Sequence, residues 1–328
     1  MGLHPVGIIG TGKYVPERIL SNKELEAMVE TNDEWIVTRT GIKERRLAAA
    51  EEATSDLALH ASRAAIAAAG LTAEDIDLII VATITPDMFF PSTACLLQDK
   101  LGAKKAAAFD LSAACSGFIY GLATGSSMIA SGMYKHVLVV GAETLSRITD
   151  YTDRNTCILF GDGAGAVVLG AVEEGRGFRS FELGADGSGG ELLKVSGGGS
   201  RVPASEASIQ SKQHYIYMAG NDVFKFAVRI MGSVAEEALL KAGIAKEEVD
   251  LLVPHQANIR IIQSALNRLN LSEDKAMINL DKYGNMSSAS IPVALAEAVE
   301  QGRVKEGDRI VLVGFGGGLT WGASVLVW

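Results

Sequence analysis

Cysteine is scarce in this sequence, with three residues in 328, and Cys95, Cys115 and Cys157 form no CxxC pair. That leaves no basis for a disulfide framework or a cysteine zinc site and fits a reducing compartment. Proline is equally sparse at 7 residues, so no proline-rich linker divides the chain. No apolar run has the length needed to span a bilayer. The opening MGLHPVGIIGTG has no charged n-region followed by a long apolar stretch, so no signal peptide is expected. Positive charge is also short: 30 Lys and Arg against 39 Asp and Glu give a formal net charge of −9. That argues against a general nucleic-acid or anionic-membrane surface and leaves room only for a local basic patch. The expectation is a cytoplasmic chain with no nucleic-acid partner, no membrane and no metal.

What is present is a large globular core. Hydrophobic residues make up 48% of the chain and charged residues 21%, and the length favours two domains or an internal duplication. Buried strands are predicted at Val6–Gly12, Asp77–Thr83, Ala106–Leu111, His136–Ala142, Asp250–Pro254 and Met277–Leu280, and helices at Thr54–Gly70, Phe118–Met133 and Asn221–Lys241. The Gly10-Thr11-Gly12 turn invites a dinucleotide-binding reading, but position 15 is Val where a third glycine is needed, so a nicotinamide cofactor is rejected. Gly184–Pro203, rich in glycine and serine, reads as the surface connection between halves.

A duplication accounts for the rest of the pattern. Residues 65–82 (AIAAAGLTAEDIDLIIVA) lie beside residues 238–255 (ALLKAGIAKEEVDLLVPH), pairing Gly70 with Gly243 and Asp77 with Asp250, each 173 positions apart. The same offset carries His136–Gly141 onto Arg309–Gly314 and Ala82 onto His255. Two related α/β halves follow, residues 1–172 and 173–328, with a linker over roughly 173–215 and a site at their interface.

Cys115 lies where an apolar strand turns into a helix, among small residues, in FDLSAACSGF. The partial positive charge of a helix N-terminus favours a thiolate there, and the thiolate is the nucleophile. His255 follows the strand DLLVP and opens HQANIRI, and Asn285 sits in YGNMSSAS. A thiolate, a neutral imidazole and an amide suit acyl transfer to sulfur and stabilisation of an enolate oxygen. No carboxylate is expected beside them, which favours carbon–carbon bond formation over hydrolysis.

DLSAACSGF, VPHQANIRII, YGNMSSASIP and GFGGGLTWG, in that order, with NDEWIVTRTGI near the start, resemble the β-ketoacyl-acyl-carrier-protein synthase III family over essentially the whole chain. Elongating ketoacyl synthases carry Cys-His-His, and thiolases place a second catalytic cysteine late in the chain, where this sequence has none after Cys157. The resemblance implies an α/β thiolase-like fold, two βαβαβαββ halves stacked as αβαβα. It implies an acyltransferase in which Cys115 takes a short acyl group, first of all acetyl, from acyl-CoA. His255 and Asn285 then stabilise the enolate formed by decarboxylating malonyl-acyl carrier protein, giving 3-ketoacyl-acyl carrier protein and initiating fatty-acid synthesis. CoA thioester is a substrate, and no cofactor is implied. By the same resemblance, Gly317 and Cys115 form the oxyanion hole and Phe315 lies over the thiol. Thr31, Trp35, Arg39, Arg154, Gly220 and Asn258 contact CoA, with Trp35 and Arg154 sandwiching its adenine. Phe224 lines the tunnel, Phe90 closes the acyl pocket across a homodimer interface, and Lys225, Arg260 and Arg268 dock the carrier protein. Asn267 stands where a lysine is sometimes found in that patch. A polyketide-type Cys-His-Asn synthase, a cysteine hydrolase and a non-catalytic acyl-binding protein are the alternatives.

Overall fold

The computed structural model describes residues 5–328. Of the opening MGLHPVGIIGTG, where no signal peptide is expected, residues 1–4 lie outside the described residues.

The first half runs β1 (Val6–Tyr14), β2 (Arg18–Ser21), α1 (Asn22–Glu26), α2 (Asp33–Thr40), β3 (Glu44–Leu47), α3 (Thr54–Ala68), β4 (Leu78–Ala82), α4 (Thr93–Leu101), β5 (Ala107–Leu111), α5 (Gly117–Ala130), β6 (Val137–Thr144) and β7 (Asp162–Ala171). The second runs β8 (Gly177–Ala185), β9 (Leu193–Lys194), α6 (Glu206–Gln210), β10 (Tyr217–Met218), α7 (Gly220–Ala242), β11 (Leu251–Pro254), α8 (Ile259–Leu269), α9 (Leu280–Tyr283), α10 (Ser290–Glu300), β12 (Arg309–Gly316) and β13 (Thr320–Val327). Helix starts follow their capping chemistry: the Ser21, Asn32 and Ser92 side chains accept from the first turns of α1, α2 and α4.

Each half carries one sheet. The first has order β1-β7-β6-β4-β5 and the second β11-β12-β13-β8. The strands β4, β5 and β6 run parallel, as do β11 and β12, while β7 and β13 are antiparallel to their neighbours. Alternation along the strands builds the layers. Ile79, Val81, Leu138 and Val140 pack outward with α3 and α4, while Leu78, Ile80, Val137 and Val139 face a central layer. In the second half Leu252, Val311 and Val313 pack with α7 and α8, and Leu251, Val253, Ile310 and Leu312 face the same central layer. That layer holds α5 and α10, both buried over most of their circumference as their apolar sequences require. The stack is therefore αβαβα.

The glycines of β1 are explained by helix packing rather than by phosphate binding. A Cβ on Gly10 or Gly12 would come within 2.3 Å of the Ala65 or Ala61 carbonyl oxygen of α3.

Two expectations need correction. Gly177–Ala185, expected within the linker over 173–215, is strand β8 at the edge of the second sheet. Only one of its nine residues is fully buried, so its sequence lacks the apolar density of a central strand. Met277–Leu280 is not a strand. Its sheet pairing is a single bridge between Ala276 and Leu252, after which the chain turns into α9.

Candidate active site

Cys115 sits in a 3-10 turn, Ala114–Ser116, between the end of β5 and the start of α5. Ala114 enters that turn at φ 46°, a left-handed conformation unusual for a residue with a Cβ and one that turns the chain sharply. The Ser116 hydroxyl bonds the Ala113 carbonyl and the Thr320 hydroxyl instead of capping α5. The positive end of α5 is thus left for Cys115 and its substrate. Strand β12 passes directly against the turn, where a Cβ on Gly316 would lie 2.5 Å from the Cys115 nitrogen.

Burial pushes the Cys115 thiol up to about 12. The adjacent Ser287 hydroxyl opposes that shift. At rest Cys115 is a thiol, and the adjoining helix end is the feature that favours its ionisation. His255, 1% exposed, is pushed down to about 3 by burial alone, so its imidazole is neutral. Its backbone N–H donates to Val313, its ring meets Phe315 edge-on at 5.7 Å between centroids, and its buried Nδ1 has no hydrogen-bond partner.

Asn285 is fixed by its backbone, donating to Leu159 and accepting from Gly161. Its Oδ1 accepts from the Ser287 N–H at 2.8 Å, which orients the amide and leaves Nδ2 with no bond to the described residues. A neutral imidazole and an amide N–H are two donors without a charge, suited to an oxygen that becomes negative during reaction.

A cavity of about 420 Å³ opens at Cys115, with Ser287, Gly317, Gly318 and Thr320 on its polar side. Its apolar wall is made by Ile84, Leu145, Ile148, Phe160, Leu193 and Ile216. The two residues expected to shape an acyl pocket are not in that wall. Phe90 is 84% exposed in a loop beside exposed Phe89 and Met88, and Phe224 packs on the outer side of the second sheet under the Arg260 guanidinium, 5.0 Å from its ring. Phe315 lies buried against His255 and Phe226, outside the cavity wall.

Of the residues expected at CoA, Trp35, Arg39, Arg154 and Asn258 gather at the junction of α2 and α8. Trp35 has the Arg154 guanidinium 4.8 Å and the Arg39 guanidinium 5.7 Å from its ring centroid. At 4.8 Å no flat ring fits between Trp35 and Arg154, so a sandwiched adenine requires Arg154 to swing outward. Asn258 caps α8 through Oδ1 and donates from Nδ2 to the Arg39 carbonyl at 2.9 Å, joining the halves. The Thr31 hydroxyl is buried without a partner, and Gly220 is exposed at the start of α7. Of the three docking cations, Lys225 lies 3.7 Å from Asp222 and Arg268 is 2.7 Å from Glu236, while Arg260 has no carboxylate partner among the described residues. Arg229, one turn beyond Lys225 on α7, is an exposed cation that the motifs do not mark.

Glu143 and Ser287 also escape motif reading. Glu143 is fully buried at the end of β6 and hydrogen-bonded to Ser288, so a carboxyl group does lie near the site, against the expectation of none. A charge closing the apolar run HVLVVGAE is the signal that marks it. Among the described residues, no cluster of three or more His, Cys, Asp or Glu side chains is arranged to hold a metal, and no helix is long and apolar enough to cross a membrane.

Two family models match this chain, 3-oxoacyl-[acyl-carrier-protein] synthase III over residues 109–187 and its C-terminal region over residues 239–328. Beta-ketoacyl-[acyl-carrier-protein] synthase III of Desulfitobacterium hafniense is 60% identical over 323 residues, 98% of each chain. The crystal structure of the Thermus thermophilus synthase III superposes with a TM-score of 0.92 at 52% identity, covering 98% of this chain and 99% of that one. The Aquifex aeolicus structure gives 0.91 at 50% identity, covering 98% and 100%.

Proposed function

The chain belongs to the β-ketoacyl-acyl-carrier-protein synthase III family, and on that premise we propose how its residues divide the work. It is an acyltransferase that carries out the initiating condensation of fatty-acid synthesis, with acyl-CoA and malonyl-acyl carrier protein as substrates.

In the first stage the Cys115 thiolate attacks the acyl-CoA carbonyl, with the Cys115 and Gly317 N–H groups receiving the oxyanion. The carbon–sulfur bond to CoA breaks, CoA leaves, and the primer is held as a thioester in the cavity. In the second stage malonyl-acyl carrier protein loses CO₂, and the electron pair enters an enolate whose oxygen accepts from His255 and Asn285. The enolate carbon attacks the Cys115 thioester, and the thiolate leaves as 3-ketoacyl-acyl carrier protein forms. The balance requires no cofactor. What carries the reading is the pairing of a nucleophile at the free end of α5 with an Asn285 amide whose Nδ2 is left unbonded by its own chain.

The remaining assignments belong to the same proposal. Thr31, Trp35, Arg39, Arg154, Gly220 and Asn258 receive CoA, Phe224 borders its tunnel, and Arg260 with Lys225 and Arg268 receives the carrier protein. Phe90, exposed here, closes the primer cavity of a second copy in a homodimer, and Phe315 sets the face of His255. The halves, residues 1–172 and 173–328, share the one site, and the enzyme works in the cytoplasm.

Incubation with acetyl-CoA followed by intact mass is expected to add one acetyl group on Cys115. Condensation is expected with malonyl-acyl carrier protein and not with malonyl-CoA. Use of the CoA ester alone would sink the carrier-protein reading, and hydrolysis without CO₂ release would point to a hydrolase. Isobutyryl- and hexanoyl-CoA as competing primers define the preference of the cavity.

A further inference from the structure

The duplication gives Cys115 a structural mate. The offset of 173 carries Ala114-Cys115-Ser116 onto Ser287-Ser288-Ala289, which is also a 3-10 turn leading straight into a central helix. Both turns begin with a left-handed residue bearing a Cβ, Ala114 at φ 46° and Ser287 at φ 45°. The mate of Cys115 is Ser288, the mate of His255 is Ala82, and the mate of Gly316 is Glu143. Around Ser288 these groups touch: its hydroxyl lies 2.7 Å from the Ala82 carbonyl oxygen and 2.9 Å from Glu143 Oε1.

The protons around Glu143 can be counted. Its Oε2 accepts from the Thr85 hydroxyl at 2.6 Å, the Ile84 N–H at 3.1 Å and the Thr83 hydroxyl at 3.2 Å. The Thr85 and Thr83 oxygens in turn accept from the Thr144 and Thr85 N–H groups, so both hydroxyl protons are directed at the carboxyl. On Oε1 the Ser288 hydroxyl has one proton and two acceptors within reach. The Ala82 carbonyl can only accept and is the shorter contact, so it takes the Ser288 proton. The hydrogen bond between Ser288 and Oε1 then needs a proton from Glu143.

No cation among the described residues compensates a charge on this carboxyl. It is fully buried and makes no ion pair among the described residues. The groups facing it are Thr83, Ile84 and Thr85 beyond β4, Ser287 and Ser288 of the mate turn, and the titratable Cys115 thiol. Ser287 lies between the thiol and Glu143, with its own hydroxyl buried.

We propose that Glu143 is a neutral carboxylic acid and a positioning residue: its proton, donated to Ser288, pins the turn that follows Asn285 onto the end of β4. Its neutrality keeps a negative charge away from Cys115 when the thiol ionises. Burial without a cation, which raises the Glu143 carboxyl above the usual carboxylate range, agrees with that state. The condensation arm of the test rests on the functional reading above, whereas the spectroscopic and alkylation arms stand without it.

The full-length protein and Glu143→Gln are compared at pH 7. The infrared carbonyl band of a protonated carboxylic acid is expected in the wild type and absent from the variant. Iodoacetamide alkylation is followed on the Cys115 peptide by mass, because Cys95 is exposed and also reacts. The two proteins are expected to alkylate within about threefold of each other, since amide for acid changes no charge. An absent band, or alkylation at least about tenfold faster in the variant as when a neighbouring anion is removed, would overturn the proposal. Glu143→Ala is expected to slow condensation at least about tenfold, with Glu143→Gln recovering most of the loss. A Gln variant as impaired as the Ala variant would show that the proton is not what matters. If Glu143→Ala does not fold, the infrared and alkylation results still decide.

Discussion

The turns at residues 114–116 and 287–289 share one backbone and meet opposite surroundings. Cys115 looks across at a strand of glycines and an apolar cavity. Ser288 looks at a carboxyl and a carbonyl, and its hydroxyl is consumed by hydrogen bonds inside the chain. The backbone of a duplicated fold therefore offers two equivalent turn positions, and two pairs of matched residues distinguish them. A glycine at position 316 brings β12 close to the thiol, whereas Glu143 at the matching place fills that space. An imidazole follows β11 where β4 ends in alanine. On the proposed reading, one turn reacts and the other braces it.

The sharpest way to test that comparison is to make the two turns carry the same residue. Cys115→Ser places the residue of the mate position at the nucleophile, and acylation by acyl-CoA is expected to fall by at least about a thousandfold, because a serine hydroxyl with no adjacent base is a poor nucleophile. Ser288→Ala removes contacts to Ala82 and Glu143 and is expected to cost about 1–3 kcal/mol of stability while Cys115 still acylates. Intact mass after acyl-CoA incubation and urea unfolding read the two outcomes. Equal loss of acylation in both variants would erase the distinction between a reacting turn and a bracing one.

Next in size come the second-half donors. His255→Ala and Asn285→Ala are each expected to slow condensation by about a hundredfold or more, the scale for losing a donor to a developing oxyanion. Cys115 acylation, measured separately, is expected to fall far less, because the first stage is proposed to rest on the Cys115 and Gly317 N–H groups. If either variant blocked acylation as severely as condensation, the division between halves would fail.

A smaller effect separates the two turns by pH. The His255 imidazole is held at about 3, below the value near 6.5 that it has in an unfolded chain, so folding favours its neutral form. That contribution is complete above pH 6.5 and is lost as pH falls toward 3, on the order of a few kcal/mol. Cys115 is raised to about 12, so its contribution is complete below about pH 9 and is lost as pH rises through 12. The mate positions, Ala82 and Ser288, do not titrate. Urea midpoints between pH 7 and pH 4 are expected to fall more steeply in the wild type than in His255→Asn, and equal slopes would show that the imidazole is solvated in the folded state.

How much of this was legible follows from what each feature depends on. Cys115, His255 and Asn285 lie at ends of elements, and element ends can be read from apolar runs and the residues that interrupt them. The duplication was legible because a strand buried on both faces tolerates little change, so Leu78–Ala82 and Leu251–Pro254 still align. Glu143 was not, because its meaning lies in Ser288, 145 residues away, and in the pairing of two turns. The cavity wall was hidden for the same reason. Ile84, Ile216 and the pair Leu145 and Ile148 come from three separate segments and have no periodicity in common. Strand β8 was mistaken for linker because an edge strand with half-exposed residues lacks the run that marks a central one.

The outer helices extend the comparison to the surface, where the smallest effects are expected. On the second half, α7 and α8 present Lys225, Arg229, Arg260 and Arg268, while on the first half Lys100 of α4 is engaged with Ser55 and Asp56. Lys225 and Arg268 already have carboxylate neighbours in Asp222 and Glu236, so an acidic carrier must compete for them. Arg260 has no such competitor among the described residues and lies over Phe224. Arg260→Ala is therefore expected to raise KM for malonyl-acyl carrier protein by about fivefold, and Lys225→Ala or Arg268→Ala by about twofold or less, the scale of exposed charge pairs. Lys100→Ala is expected to leave that KM unmoved. Added salt is expected to shrink the Arg260 effect, because the attraction it removes is screened over about 10 Å at 0.1 M. If Lys100→Ala weakened the carrier as much as Arg260→Ala, docking would follow general charge, and the second half would have no claim to the carrier surface.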